Sequence, residues 1–119
     1  MRKSLLLFFI LFSTQFFKAQ NAKNTYREKF IEGNHLMVEK NYPLALVNFK
    51  EAYLIDSSSA NINYKLGVCY LQSGSQKYKA VYHLEKAVQN TTHNYSEDNV
   101  YETKASEFAY YYLGEAYRI

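Results

Sequence analysis

A spacing, rather than any single residue, most restricts what this chain can become. Leu66-Gly67-x-x-Tyr70 returns as Leu113-Gly114-x-x-Tyr117, and a weaker copy precedes both, with Gly33 three residues ahead of Leu36. Gly33 to Gly67 is 34 residues, and Leu36 to Tyr70 is again 34. A fixed period of that size marks one supersecondary unit repeated, each unit burying its apolar face against the next. Local signals say what the unit is made of. Thr25-x-x-Glu28 has the form of a capping box, so the first helix is expected from Thr25 to about Lys40, with Phe30, Gly33, Leu36 and Val38 on one face. Asn41 is placed to cap a second helix, with Pro43 in its first turn, where a missing N–H does no harm. That helix carries Leu44, Ala45, Val47, Phe49, Ala52 and Ile55 at amphipathic spacing and reaches about Asp56.

Ser59 can cap a third helix, Ala60 to Ser73, with Gly74 supplying a left-handed stop. After a turn at Ser75-Gln76-Lys77, a fourth helix is expected to about Gln89, burying Ala80, Val81, Leu84, Ala87 and Val88. The polar stretch 90–96 reads as a loop, with Ser96 able to cap the next element, and a fifth helix is expected from about Thr103 to Arg118. Connections of so few residues force neighbouring helices antiparallel. With one Pro and four Gly in 119 residues, a strand-and-turn architecture is disfavoured. The expected fold is therefore all-α: antiparallel helix hairpins repeated twice, plus the first helix of a third unit.

The amino terminus has a different character. Met1-Arg2-Lys3 is a positive start, and Ser4 to Phe12 is an apolar run of the length found in secretory leaders. It is shorter than the roughly 20 residues that span a bilayer. Residues 1–19 are read as a signal peptide cleaved near Ala19-Gln20, leaving residues 20–119 as an exported module in the periplasm or at the outer membrane. The alternative is an uncleaved membrane anchor, since Phe17 stands where a cleavage site prefers a small residue. Arg2, Lys3 and Lys18 account for the whole formal charge of +3, because the rest of the chain holds 11 basic and 11 acidic residues. The module has no electrostatic case for nucleic acid.

Candidate chemistry is sparse. Cys69 is the single cysteine and reads as a buried side chain between helices. His35 is expected at a helix contact equivalent to Cys69 and Ala116, while His83 and His93 are expected at the surface. No HExxH, GxSxG or phosphate-cradling glycine loop occurs, so the chain reads as a non-enzyme without metal or cofactor. Asn90-Thr91-Thr92 and Asn94-Tyr95-Ser96 match the glycosylation pattern, which two Asn-rich triplets meet readily by chance.

Together these residues resemble the tetratricopeptide repeat, an aromatic-x-x-Leu-Gly-x-x-Tyr helix followed by Ala-x-x-x-Phe and Ala. Copy one (about 26–59) has Gly33, Leu36, Ala45, Phe49 and Ala52; copy two (about 60–92) has Leu66, Gly67, Tyr70, Ala80, Leu84 and Ala87. The partial third copy (about 103–119) has Tyr110, Leu113, Gly114 and Tyr117. Lys29 and Asn63 replace the leading aromatic, Ser57 replaces the usual Pro, and about 13 residues are inserted around 90–103. The leader ending in Ala-Gln and the Gly-Ser-Gln-Lys-Tyr-Lys turn are also similar to the N-terminal region of exported Bacteroidota envelope proteins that end in an OmpA-like, peptidoglycan-binding domain.

The resemblance implies a concave face built from the first helix of each repeat. It would present Phe30, Asn34, Met37 and Val38, then Tyr64, Val68 and Leu71, then Tyr111 and Glu115, with Arg27, Asn61, Gln72, Phe108 and Arg118 beside them. Such a surface suits an extended peptide or a partner's helix. A basic carboxylate clamp is not expected, because only Asn34 matches one and Phe30 stands where Lys belongs. The expected function is a protein-interaction scaffold of the cell envelope. The alternative is the N-terminal piece of a larger peptidoglycan-anchored outer-membrane protein, its membrane or wall association residing in domains absent from this chain.

Overall fold

The computed structural model describes residues 2–74 and 76–118. Met1 of the positive start, Ser75 of the turn before the fourth helix, and Ile119 lie outside the described residues. The chain forms α1 (Arg2–Val38), α2 (Tyr42–Ile55), α3 (Ala60–Ser73), α4 (Lys77–Ala87) and α5 (Phe108–Tyr117). Two-residue strands β1 (Thr91–Thr92) and β2 (Ala105–Ser106) lie between α4 and α5. Consecutive helices pack on one another, and α3 also touches α5. The all-α expectation holds at that level.

The helix ends obey the local signals where those signals compete with nothing. Asn41 Oδ1 accepts the Leu44 amide at 3.4 Å, and Ser59 Oγ accepts the Ile62 amide at 3.2 Å. Gly74 closes α3 with φ +77°. At the end of α1, Lys40 takes φ +60°. The Asn41 amide reaches Leu36 O at 2.8 Å and the Lys40 amide reaches Met37 O at 2.9 Å, the paired bonds of a Schellman closure built on a non-glycine residue.

The expected start of α1 at Thr25 is corrected. The helix runs without interruption from Arg2, so Thr25 and Glu28 are interior and the capping box is not used. The upstream residues explain this: Leu, Phe, Lys, Ala and Gln from 5 to 23 include no Gly or Pro to stop a helix. At about 1.5 Å per residue, 37 residues make a rod of roughly 55 Å, which accounts for the long dimension of 65 Å. Residues 2–21 are exposed, including Leu5, Phe8, Phe12 and Phe17. Among the described residues, no helix is long and apolar enough to cross a membrane.

The core lies between the helices from Tyr26 onward. Phe30, Ala45, Phe49, Ala52, Leu66, Tyr70, Ala80, Leu84 and Ala87 are all buried. Gly33 and Gly67 hold matching places in it. A methyl group on Gly33 would lie 2.7 Å from the Phe49 ring, and one on Gly67 would lie 2.7 Å from Leu84 Cδ2, both inside contact distance. Each glycine thus lets the next helix press a large side chain against backbone. Val81 and Val88 are half-buried rather than core residues.

The third copy of the motif behaves differently. Ala116 is buried and Leu113 half-buried, but Gly114 and Tyr117 are exposed, and among the described residues nothing lies within 4 Å of a methyl group on Gly114. Gly114 and Tyr117 are therefore not packing residues in this structure. The Tyr110 and Tyr117 hydroxyls instead reach back to α4, donating to Val88 O at 3.1 Å and Glu85 Oε1 at 2.6 Å.

The stretch before α5 departs from the expected loop and helix. β1 and β2 pair in parallel, Thr91 with Ala105 and Thr92 with Ser106, and the Ala105 amide donates to Asn90 O at 2.9 Å. The fifth helix consequently begins at Phe108, whose amide is taken by Ser106 Oγ at 3.2 Å. Ser96 closes a turn through its carbonyl, accepting the Asn99 amide, and does not cap a helix. The pairing ties residues 91–92 to 105–106 and leaves 93–104 as a strap between two fixed ends.

Candidate functional site

The strap crosses the face formed by α1 and α3, where the sequence leads one to expect an open groove. Three side chains from that face hold it. Asn34 Nδ2 on α1 donates to Glu97 O at 2.8 Å. Asn61 on α3 engages the strap three times: Nδ2 donates to Glu102 O at 3.1 Å, the amide donates to Thr103 O at 3.1 Å, and Oδ1 accepts the Tyr95 hydroxyl. Lys65, one helical turn further along α3, donates to Glu97 O at 3.2 Å and Glu97 Oε2 at 3.1 Å.

Lys65 is the most unusual group in the molecule. Its side chain is fully buried, yet it carries an ammonium. Nζ lies 5.1 Å from the centre of the Phe30 ring, 5.8 Å from Phe49 and 5.9 Å from Tyr95, so three aromatic faces surround the charge. Burial pulls its pKa down, and the Glu97 carboxylate opposes that pull. Above it, Tyr95 packs edge-on against Tyr64 at 5.8 Å, and Tyr64 also meets Tyr112 at 6.1 Å. Burial raises the pKa of both Tyr64 and Tyr95, with the Glu97 charge adding to the rise. Both hydroxyls stay protonated.

The surface expected from the sequence separates accordingly. Phe30, Tyr64 and Val68 are buried, so they line the core or lie beneath the strap and are not open to a partner here. Asn61 is buried as well. Asn34, Met37, Leu71 and Glu115 are half-buried, and Tyr111 is exposed at 62%. Asn34 and Met37 border a cavity of about 200 Å³ with Val38, Glu97 and Asp98. Of the three side chains that hold the strap, only Lys65 meets a carboxylate, Glu97 Oε2 at 3.1 Å from its own chain, while Asn34 and Asn61 bind main-chain carbonyls. Lys65 lies between Tyr64 and Leu66, both candidate residues, yet nothing local to it signals a partner 32 residues away.

Two histidines lie elsewhere than expected. His35 is exposed and sits 3.2 Å from Glu39 on its own helix, rather than at a contact between helices. His83 is buried at 9% exposure. Its ring stacks on Tyr70 at 5.7 Å and meets the edges of Tyr53 and Tyr82 at 5.4 and 5.0 Å. Asn63 spends its amide hydrogens on Ser57 O and Ser59 O, so its Oδ1 accepts, and His83 Nδ1 must donate across 2.9 Å. Burial, with Lys86, Lys79 and Lys50 nearby, pulls the His83 pKa down to about 4. The imidazole is neutral and structural. His93 is at the surface, paired with Glu107 at 2.9 Å.

Cys69 is buried, as expected, and burial pushes its thiol up to about 12, far from the reactive range. Among the described residues, no group of three or more His, Cys, Asp or Glu side chains converges. No protein-family model, no curated protein and no solved structure matches the chain.

Proposed function

We propose that the chain is an exported tetratricopeptide-repeat module of the bacterial cell envelope that docks a peptide or protein segment on the face formed by α1 and α3. One observation carries the reading: Asn34, Asn61 and Lys65 bind the main-chain carbonyls of a segment laid across that face, which turns at Ser96 to Asn99 and again at Asn99 to Glu102. Main-chain recognition by side-chain amides is what a groove for peptides requires. The repeat assignment draws support from Gly33 against Phe49 and Gly67 against Leu84, one close approach used twice at a 34-residue interval. Export draws support from the positive start and an apolar helical segment exposed along its length.

The test places a photo-crosslinking amino acid at Met37 or Leu71, on the docking face, and at Leu54, which is 84% exposed on α2. The expected outcome is a crosslink from Met37 and Leu71 to one defined segment of an envelope protein, identified by mass spectrometry, and none from Leu54. Equal yields from all three positions, or none from the first two, count against docking. Substituting Phe30 or Tyr64 would test the core instead, since both are buried.

A second reading makes the chain a structural part of a larger peptidoglycan-anchored protein. The empty notch at Gly114 favours it, with Phe108, Tyr111 and Tyr117 exposed on the same helix. On this reading a further helix seats a large apolar residue over Gly114, as Phe49 and Leu84 sit over Gly33 and Gly67. A coding sequence with no such helix downstream counts against it.

A further inference from the structure

The strap is shallow while the groups beneath it are deep, and that asymmetry is informative. Within residues 93–104 only Tyr95, Val100 and Glu102 are even half-buried, and the Glu97 side chain is 61% exposed. Beneath them, Asn61 and Lys65 are fully buried. Every hydrogen bond from the Lys65 ammonium and the Asn61 amide goes to the strap. With the strap in place, no buried side-chain N or O among the described residues lacks a partner. Lift it away, and the ammonium and the primary amide lose these protein partners and must be rehydrated or paired by another segment. The face therefore suits an occupant with definite chemistry. It needs a turned backbone offering carbonyls, an aromatic hydroxyl for Asn61, and a carboxylate two residues later for Lys65. Residues 94–103 satisfy this with Tyr95-Ser96-Glu97, and they carry Glu97, Asp98 and Glu102 with no basic residue.

Resting on the docking reading, we propose that the strap is an intramolecular stand-in, and that the partner of this face is an acidic turn-forming peptide carrying Tyr-x-Glu, which binds by displacing it. Charge complementarity commits the site to an anionic segment: Lys65 is a cation fixed at the floor, caged by Phe30, Phe49 and Tyr95. The tyrosine supplies one wall of that cage, so an incoming peptide must bring its own ring as well as its carboxylate. Because the strap is tethered at both ends by β1 and β2, it competes at high effective concentration. The intact chain should consequently bind such a peptide weakly until the strap is loosened.

The test uses the full chain and a fluorescein-labelled synthetic peptide of residues 92–103, with a second peptide having Gln at the Glu97 position. Three chains are compared by fluorescence anisotropy: the unaltered protein, Tyr95→Ala/Glu97→Gln, and that double variant with Lys65→Met added. Circular dichroism reports whether each remains helical. If the double variant loses helix, Glu97→Gln alone replaces it, because the amide keeps the size and can still accept from Lys65.

The strap variant is expected to bind the Glu peptide at least about tenfold more tightly than the unaltered chain does. It should also prefer the Glu over the Gln peptide by about tenfold, the size of one charge-assisted hydrogen bond. Lys65→Met should abolish that preference. A helical strap variant that binds neither peptide, or both equally, overturns the proposal. The Met37 crosslink separates the two failures. Crosslinking without peptide binding leaves docking standing and removes the stand-in, whereas loss of both removes docking itself.

Discussion

Three glycines occupy the same place in the 34-residue motif, but the structure assigns them opposite responses to one added methyl group. In a helix interior, Gly→Ala by itself favours the helix by about 0.8–1 kcal/mol. At Gly114 nothing among the described residues lies within 4 Å of the new carbon, so that gain should appear almost whole. At Gly67 the methyl would fall inside contact distance of Leu84 Cγ, Cδ2 and Cδ1, and Leu84 is itself fully buried. Overpacking of this kind costs about 1–3 kcal/mol, and the blocked atom is a branch point rather than a mobile chain end. Gly67→Ala should therefore destabilise by up to about 2 kcal/mol net. Gly33→Ala meets the edge of the Phe49 ring at 2.7 Å and should fall between the two.

Equilibrium urea unfolding of the three variants, followed by circular dichroism, reads these differences directly as midpoint shifts at constant slope. A destabilising Gly114→Ala would refute the reasoning. It would mean that the α5 notch is already filled in this chain.

Two further predictions concern groups the fold has committed. His83 is neutral in the folded state with a pKa near 4, below its ordinary value of 6.5, so its contribution is complete above pH 6.5 and is lost as pH falls toward 4. Over the 1.5 units from 6.5 to pH 5 the loss is at most about 2 kcal/mol, and about 1.5 kcal/mol once solvent screening of the lysines is allowed for. Urea midpoints at pH 7.5 and 5.0 should show it, and His83→Gln should flatten the difference. Ser59→Ala removes the cap on α3 and leaves the Ile62 amide unpaired, which should cost about 1 kcal/mol by the same assay. A cost near zero would mean that another group takes over the Ile62 amide.

What the sequence makes legible is what neighbouring residues decide between themselves. Asn41, Pro43, Ser59 and Gly74 mark helix ends because each acts within a few positions of itself. The close approaches at Gly33 and Gly67 are legible because the motif repeats them. The strap is not legible, since it rests on Lys65 meeting Glu97 and Asn61 meeting Tyr95 and Glu102, pairs 32 to 41 residues apart with no local signature. Short parallel strands have the same defect, as Thr91 and Ala105 reveal their pairing only when both ends of the insertion are in place. His83 escapes a local reading for a related reason. Its hydrogen bond depends on which way Asn63 points, set by Ser57 and Ser59, and its burial on rings from Tyr53 and Tyr70, on other helices.

The unbroken α1 has a consequence for what the body of the protein needs. Its residues 2–21 are exposed, and the first ring stacked onto the interior is Tyr26, 6.2 Å from Phe30. Thr25 stands immediately ahead of that ring, with Glu28 one turn on. A cut anywhere upstream would expose fresh amides at the new end of the helix, and unwinding would proceed inward until something accepted them. The Thr25 hydroxyl and the Glu28 carboxylate are the first pair able to do so. They act as a dormant stop, silent while the rod is whole, that would hold the helix at the edge of the packed region once the rod is shortened.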